Sequence, residues 1–340
     1  MAIAQYLSKA GKNYHQNAMM NLKVKHLFIL LVTFLVLSTA NAFGAEAKVS
    51  VSYLYNLSNF SGILHVSWVD IAVNATQDEI YVLTGRAIKI FNDKGMEVYS
   101  FNDAGEIPVV LDVAVDDEGN IIALTNSNEG IVRCNYRGEP VEKMELQNLP
   151  PQFAGFAPGR ILYRKGLFYF ASLQSKQVVI TDAEGRFKDG YNIGALINLD
   201  EYVKENVKKE DTEDTDIVGF NVDQEGNILF TLPIIAKAFV LSPDKTIKSF
   251  GTLGGAEGKF GVPGGITADA SGKFILVADT LRCVVLVFDR TFKFYGEFGH
   301  RGYGPGNLIG PMQLAVDGQN RVYVTQLANR GVSVYQLTIS

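Results

Sequence analysis

Two aspartates, Asp70 and Asp112, each open a short segment of alternating apolar residues, and Arg160 and Gln313 open two later segments of the same kind. If these segments are the innermost strands of sheets arranged around an axis, their first residues lie together at one mouth of a central channel. Two carboxylates and an amide at such a mouth suit a divalent cation such as calcium, and with the arginine they suit a small polar ligand. The same residues are also compatible with a solvated mouth that binds no ligand.

A second set of acidic residues recurs at the end of the same kind of segment, at Asp116, Asp223, Asp269 and Asp317. A turn that contains glycine or asparagine follows each of them. An aspartate in that place accepts hydrogen bonds from the backbone N–H groups of its own turn. Because positions spread around a ring cannot meet at one ion, we predict that these carboxylates stabilise turns and do not bind metal.

The chain contains four histidines, of which only His65 and His300 lie beyond residue 42. A zinc site or a histidine-activated nucleophile generally requires more imidazoles, or cysteine ligands as well. We therefore predict no histidine-based catalysis, with His300 in an exposed glycine-rich loop and His65 packed or capped in an apolar segment. No Cys-x-x-Cys-His sequence occurs, so no covalently attached haem is expected.

The elements that position these side chains follow from an internal repeat. Residues 250–269 contain Phe-Gly, a glycine-rich run, Pro263 and an apolar segment ending in Asp269, and residues 298–317 repeat this order 48 residues later. Corresponding positions along the whole chain are separated by steps of 42, 48, 59, 46 and 48 residues; they are Asn74, Asp116, Arg164, Asp223, Asp269 and Asp317. Units of about 45 residues with short strands and turns at fixed offsets indicate radially arranged sheets.

The predicted fold is all-β: a six-bladed β-propeller with four-stranded antiparallel blades. The sixth unit lacks a fourth strand, and residues 49–56 form an unassigned strand near the beginning of the chain. Pairing residues 49–56 with residues 331–337 completes the last blade and covers two open sheet edges. We therefore predict that this N-terminal strand closes the ring.

Residues 1–42 are predicted to be a secretory signal peptide, with Met20 as an alternative start. Lys23 and Lys25 precede an apolar run at residues 27–37, and residues 40–42 read Ala-Asn-Ala, which fits a cleavage site. The run is shorter than the ~20 residues that span a bilayer, which favours cleavage over an uncleaved anchor. The mature protein is then expected in the periplasm or outside the cell, as a single domain from residue 43 to residue 340.

The charge of the chain restricts its partners. Residues 1–42 carry four of the 31 basic residues and no acidic one, so the remainder has 27 basic and 36 acidic residues, a net charge of −9. Such an acidic protein is poorly suited to phosphate backbones, which disfavours nucleic acid as a partner. Cys134 and Cys283 belong to distant units and are predicted to be separate buried thiols, and a monomer is expected.

The step of 59 residues indicates an insertion at about 196–216. Leu199, Val203 and Val207 are four residues apart with charged residues between them, which predicts a short amphipathic helix followed by an acidic segment from Glu210. Two interpretations remain open: a solvated loop insertion, or an added docking element beside the ring.

Residues 250–337 resemble the NHL repeat family of six-bladed β-propellers. The resemblance is carried by Phe-Gly with its glycine-rich run, by Pro263 and Pro311, by residues 266–269 with Gly272, and by residues 277–280 and Asn329. Where the family has polar residues after Asp279, this chain has Leu281-Arg282-Cys283-Val284, so apolar packing is expected there. The resemblance implies the fold, whereas the family includes binding platforms, scaffolds and enzymes.

The function predicted from these observations is a non-catalytic exported propeller that serves as a protein-binding or scaffolding module in the cell envelope. Its binding face would consist of the loops between second and third strands, with Arg86, Asn126, Gln174, Arg282, Asn329 and Arg330 as candidate residues. No cofactor is expected. The alternative is a metal-dependent hydrolase similar to lactonase-type propellers, with a divalent cation at Asp70 and Asp112.

Overall fold

A computed structural model describes residues 48–66, 69–74, 77–85, 87–102, 105, 107–126, 130–198 and 216–340. The predicted signal segment, Arg86 and residues 199–215 of the predicted insertion lie outside the described residues. Within the described part of the chain, no helix is both long and apolar enough to cross a membrane.

The chain begins its described part with strand β1 (Val49–Asn56) and a two-stranded hairpin, β2 (Ser58–Asn59) and β3 (Gly62–Ile63). Six antiparallel sheets of four strands follow around the ring, confirming the predicted propeller. Blade one contains β4 (Asp70–Asn74), β5 (Glu79–Thr84), β6 (Ala87–Phe91) and β7 (Glu97–Phe101); blade two contains β8 (Val110–Val115), β9 (Ile121–Thr125), β10 (Ile131–Cys134) and β11 (Pro140–Met144). Blade three contains β12 (Arg160–Arg164), β13 (Leu167–Ser172), β14 (Gln177–Thr181) and β15 (Phe187–Asn192); blade four contains β16 (Phe220–Val222), β17 (Ile228–Leu232), β18 (Lys237–Leu241) and β19 (Ile247–Phe250). Blade five contains β20 (Pro263–Ala268), β21 (Phe274–Asp279), β22 (Val284–Asp289) and β23 (Phe294–Phe298); blade six contains β24 (Pro311–Val316), β25 (Arg321–Gln326), β26 (Val332–Ile339) and β1.

The ring is closed by β1, as predicted. This strand pairs antiparallel with β26, from Val49 opposite Ile339 to Asn56 opposite Ser333. Ser333 Oγ donates a hydrogen bond to Asn56 Oδ1 at 2.6 Å, and the Tyr53 and Tyr335 rings meet edge to face. The last blade therefore consists of strands from both ends of the described chain. The edge of β26 that faces β1 is paired along its length, so it is not open to other chains.

The hydrophobic core lies between adjacent sheets. One cluster joins Ile88 of blade one to Val113 of blade two, and further clusters join blades two and three, three and four, four and five, and six and one. The second strand of a blade is covered on both faces, which explains why β21 is buried at every residue and reads as one apolar run.

The recurring aspartates stabilise turns, as predicted. Asp116 Oδ1 accepts a hydrogen bond from the backbone N–H of Asn120 at 2.8 Å, and Asp269 Oδ1 accepts one from Phe274 at 2.7 Å. Asp223 and Asp317 accept equivalent bonds from the fourth residue after them. These carboxylates fix the tight connections between first and second strands.

Of the two remaining predictions, the one about the cysteines is confirmed. Cys134 and Cys283 are both buried thiols and form no disulfide. Helix α1 (Ile193–Leu196) lies just before the predicted insertion and is capped by Asn192 Oδ1, which accepts from the Ala195 N–H at 3.0 Å. The predicted amphipathic helix after it lies outside the described residues.

Candidate functional site

The first strands of the six blades surround a central channel. They are β4, β8, β12, β16, β20 and β24, and each contacts its neighbours around the ring. All six run in the same direction, so their first residues meet at one end, which we call the loop face. Because strands alternate in direction within a blade, the loops after second and fourth strands also reach this face.

Three of the four predicted mouth residues lie together on the loop face. Arg160 Nη1 forms an ion pair with Asp70 Oδ2 at 2.6 Å, joining blades one and three. Asp112 of blade two is buried, and its Oδ2 accepts a hydrogen bond from the Ile161 backbone N–H at 2.9 Å. The trio of Asp70, Asp112 and Arg160 therefore connects three blades at the mouth.

The carboxyl of Asp112 has a strongly raised pKa. Burial raises the pKa of this carboxyl to about 7, and the charge of Asp70 adds to the increase. Arg160 and the N–H groups of Ile161 and Val113 act in the opposite direction. Because burial has the largest effect, Asp112 exchanges its proton near neutral pH, where an ordinary aspartate is fully ionised.

The raised pKa of Asp112 predicts that this residue makes the stability of the protein depend on pH. The folded state holds the Asp112 proton more tightly than the unfolded chain, so the contribution of Asp112 to the free energy of unfolding falls as pH rises from 3.8 to about 7 and is constant above that. We expect the difference in unfolding free energy between the wild type and Asp112→Asn to change across this interval, as measured by denaturant titration at several pH values. Parallel profiles for the two proteins would contradict the raised pKa.

The other half of the mouth is built differently. Gln313 of blade six donates its backbone N–H to Thr325 Oγ1 at 2.9 Å, and its hydrogen bonds do not join it to the trio. Blades four and five have Gly219 and Gly265 at the corresponding places. A Cβ on Gly219 would clash with Gly264 O, and one on Gly265 would clash with Met312 O. These glycines allow adjacent inner strands to approach closely. Among these positions, the charged side chains lie on the side of the mouth that blades one to three form.

The trio does not fit a divalent cation. One oxygen of Asp70 is engaged by the Arg160 guanidinium, and both oxygens of Asp112 accept backbone N–H bonds, from Val113 and Ile161. A cation at Asp70 would have to displace the arginine that already pairs with it. No group of three or more His, Cys, Asp or Glu residues suited to a metal occurs among the described residues. We derive no metal-dependent reaction from this site.

The predicted loop residues have different roles. Asn126 and Gln174 are exposed on the loop face. Arg282 instead binds loops together: its Nη2 donates to Glu297 Oε1 at 2.6 Å, and its Nη1 donates to Lys259 O at 2.8 Å. The adjoining segment is also fixed by Asp279, which accepts from the Arg282 backbone N–H. Polar contacts therefore hold this part of blade five together with the expected apolar packing, since Cys283 and Val284 are buried.

The loop face carries an exposed apolar and cationic surface, of which the sequence predicted only Arg330. We call it the Tyr303 patch, consisting of Leu281, Arg301, Tyr303 and Arg330. Leu281 is 58% exposed and Tyr303 is 71% exposed. Arg301 Nη2 donates to Leu281 O at 2.9 Å, and Arg330 Nη1 donates to Tyr303 O at 3.0 Å. The available sequence signals were a tyrosine between two glycines and the departure from the family pattern at Leu281.

The two histidines in the described part of the chain lie on the surface near this patch. His300 is exposed, as predicted, in the loop that leads to Tyr303. His65 is also exposed, and its Nδ1 lies 3.3 Å from Asn329 O, so it touches the loop after β25 but is not packed in the core. His65 was predicted to be packed or capped. The contact with Asn329 O agrees with a capped residue, whereas packing in the core is not observed.

Comparisons with known proteins identify the fold. No protein-family model and no curated protein matches the chain. Among solved structures, a streptogramin B lyase is similar with a TM-score of 0.57 at 12% identity, covering 85% of this chain and 98% of that one. Virginiamycin B lyase from Staphylococcus aureus gives 0.52 at 14% identity, covering 86% and 99%. An auxiliary nutrient binding protein from Bacteroides ovatus gives 0.55 at 12% identity, covering 87% and 78%. At such identities the likeness concerns the fold.

Proposed function

We propose that this propeller is a binding or scaffolding module that captures a protein partner on its loop face, through the Tyr303 patch. The proposal includes NHL-type repeats, export from the cytoplasm and a partner in the cell envelope. The fold by itself does not choose between functions, because the similar structures include lyases and a nutrient binding protein.

The single observation that carries the proposal is the preformed patch. Tyrosine and arginine are the residues that most often dominate binding energy at protein interfaces. The Arg330 guanidinium lies 5.6 Å from the Tyr303 ring centroid, so the two side chains support one another. Arg301 and Arg330 are already anchored on carbonyl oxygens. Ordered side chains lose less conformational entropy on binding, which favours affinity.

The charge of the patch indicates what kind of partner it suits. Arg301, Arg330 and the exposed Lys259 lie on this part of an otherwise acidic protein with a net charge of −5. A partner segment with acidic residues around an apolar side chain would match the arginines and cover Leu281 and Tyr303. Complementary charge chiefly increases the association rate and the specificity of such a contact.

The test compares two tyrosines with similar surroundings. Tyr303 and Tyr136 are 71% and 65% exposed, and each lies beside an arginine. Tyr136 follows β10, at the opposite end of blade two from the loop face. We expect Tyr303→Ala to weaken binding of a captured envelope protein by at least about ten-fold, and Tyr136→Ala to leave it unchanged, in surface plasmon resonance with purified partner.

Two outcomes would contradict the proposal. One is a partner that binds Tyr303→Ala and the wild type equally. The other is a stoichiometric divalent cation in the purified protein that disappears in Asp112→Asn, which would favour the hydrolase alternative. Elemental analysis of both proteins, together with an assay for lactone hydrolysis, measures the second outcome.

A further inference from the structure

The position that carries a turn-stabilising residue in five blades carries an arginine in blade three. The turn-stabilising residues are Asn74, Asp116, Asp223, Asp269 and Asp317, and the exception is Arg164. In blade three the connection from β12 to β13 is only Lys165-Gly166, both with positive φ (48° and 79°). This two-residue hairpin has the geometry of a type I′ turn. Blade three therefore lacks the longer turn that the aspartate or asparagine stabilises in the other blades. The Arg164 side chain is therefore available for another purpose.

Arg164 reaches the end of the channel opposite the loop face. Its Nε donates to Val222 O of blade four at 3.0 Å. Among the described residues, no carboxylate forms an ion pair with its guanidinium. Burial lowers the pKa of Arg164, and the charge of Asp223 only partly opposes this effect. Arg164 is half-buried, and a guanidinium that has lost part of its hydration without gaining a paired anion favours an added anionic partner.

Two cavities meet at this arginine. One, of about 70 Å³, lies along the channel and is lined by all six first strands, including Arg164 and Thr267. The other, of about 110 Å³, lies at the channel end; its lining includes Arg164, Thr267, Gln224, Asp223 and Asp317. The second cavity is large enough for a small polyatomic ion.

The two aspartates that line the end cavity are already neutralised. Asp223 Oδ2 pairs with Arg290 Nη2 at 2.8 Å. Asp317 Oδ2 accepts from Arg321 Nε and from the Tyr323 hydroxyl. Both lining carboxylates are therefore paired with arginines other than Arg164.

Gln224 adds an unmatched acceptor. Its Nε2 donates to Asp269 O at 3.3 Å and to Ala270 O at 3.2 Å, which orients the amide. Its Oε1 is buried and accepts no hydrogen bond from the described residues. A ligand that satisfies both groups must accept from a guanidinium and donate to an amide oxygen.

We propose that the channel end opposite the loop face is a binding site for a small oxyanion, with Arg164 as its main ligand and hydrogen phosphate as the best-fitting class. Hydrogen phosphate offers paired oxygens to the guanidinium and a hydroxyl to Gln224 Oε1. Sulfate has the same shape and no proton at neutral pH, so it satisfies only the arginine. The bound anion would link blade three to blades four, five and six, around the end of the channel.

The experiment is calorimetric titration of inorganic phosphate and of sulfate into the full-length protein at neutral pH. We expect one phosphate per chain, weaker binding of sulfate, and at least about ten-fold weaker phosphate binding in Arg164→Gln. Lys165→Gln is the matched control, because it removes a positive charge from the adjacent, exposed turn position and should bind phosphate as the wild type does.

Three results would overturn the proposal: no saturable phosphate binding, equal weakening in both variants, or unchanged affinity in Arg164→Gln. If Arg164→Gln does not fold, the affinities of the wild type for phosphate and for sulfate test the proposal instead. Equal affinities for the two anions would contradict the role of Gln224 as a hydrogen-bond acceptor. Thermal unfolding with and without phosphate provides a second readout, since an anion bound only by the folded state raises the midpoint.

Discussion

Asp317→Ala is expected to lower the free energy of unfolding by about 3–5 kcal/mol, because it removes one partner of a buried ion pair. Asp317 is 2% exposed, and Arg321 is 6% exposed. The carboxylate accepts from the Gln319 and Arg321 backbone N–H groups, from Arg321 Nε and from the Tyr323 hydroxyl at 3.0 Å. Removing it leaves a guanidinium and a phenol buried without their acceptor.

The position of this pair in the ring increases the expected effect. Arg321 Nη1 also donates to Asp93 O of blade one, so the pair spans the junction between the last blade and the first. Burial raises the pKa of Tyr323, and Asp317 raises it further, so the hydroxyl stays protonated as the donor. Loss of Asp317 therefore weakens a turn and the closure of the ring together.

Asp116→Ala is the matched control for this prediction. Asp116 holds the same place in blade two and accepts from the Glu118 and Asn120 N–H groups, but its contact with Arg133 is longer, at 3.5 Å, and lies away from the closure. We expect a loss of about 1–2 kcal/mol for Asp116→Ala. Denaturant unfolding of both variants measures the difference. Equal losses would refute the special role of the closure.

A chain that begins at residue 57, without β1, is expected to lose its monomeric fold. Removing β1 exposes the whole edge of β26, from Ser333 to Ile339, and breaks the antiparallel ladder that closes the ring. An unpaired edge of this length is a template for association with other chains. We expect aggregates or dimers by size-exclusion chromatography with light scattering, and loss of the cooperative thermal transition.

A chain that begins at residue 48 retains β1 and provides the control, with the expectation of a cooperative monomer. Adding a peptide of residues 48–57 to the shortened chain should restore the monomer in part, because the missing strand is supplied from outside. A monomer from residue 57 with an unchanged midpoint would show that the closure does not depend on β1.

The fold could be predicted from the sequence because each blade repeats its own local signals. Apolar strands, turn-forming glycines and recurring aspartates such as Asp269 and Asp317 are separated by nearly constant steps, and local interactions within each unit produce its sheet. The closing strand was predictable for a related reason: six units left one strand over at the beginning of the chain and one place vacant at the end.

The candidate sites could be predicted only in part. The repeat correctly placed Asp70, Asp112 and Arg160 at one mouth, since the start of each first strand is fixed by the period. It did not indicate that Arg160 pairs with Asp70, which means that a cation at this site would compete with an existing ion pair. Side-chain pairing between blades depends on how neighbouring sheets are oriented relative to one another. The spacing of residues within one repeat does not predict that orientation. Ligand binding at this mouth stays a prediction.

The sequence by itself determined the repeat, the blade number and the structural role of the turn aspartates, because these depend on interactions between residues close together in the chain. The tertiary structure decided which side chains from different blades meet: the trio of Asp70, Asp112 and Arg160, the Tyr303 patch, and the cavity at Arg164. Each of these combines residues from separate units, so its chemistry arises only when the ring closes.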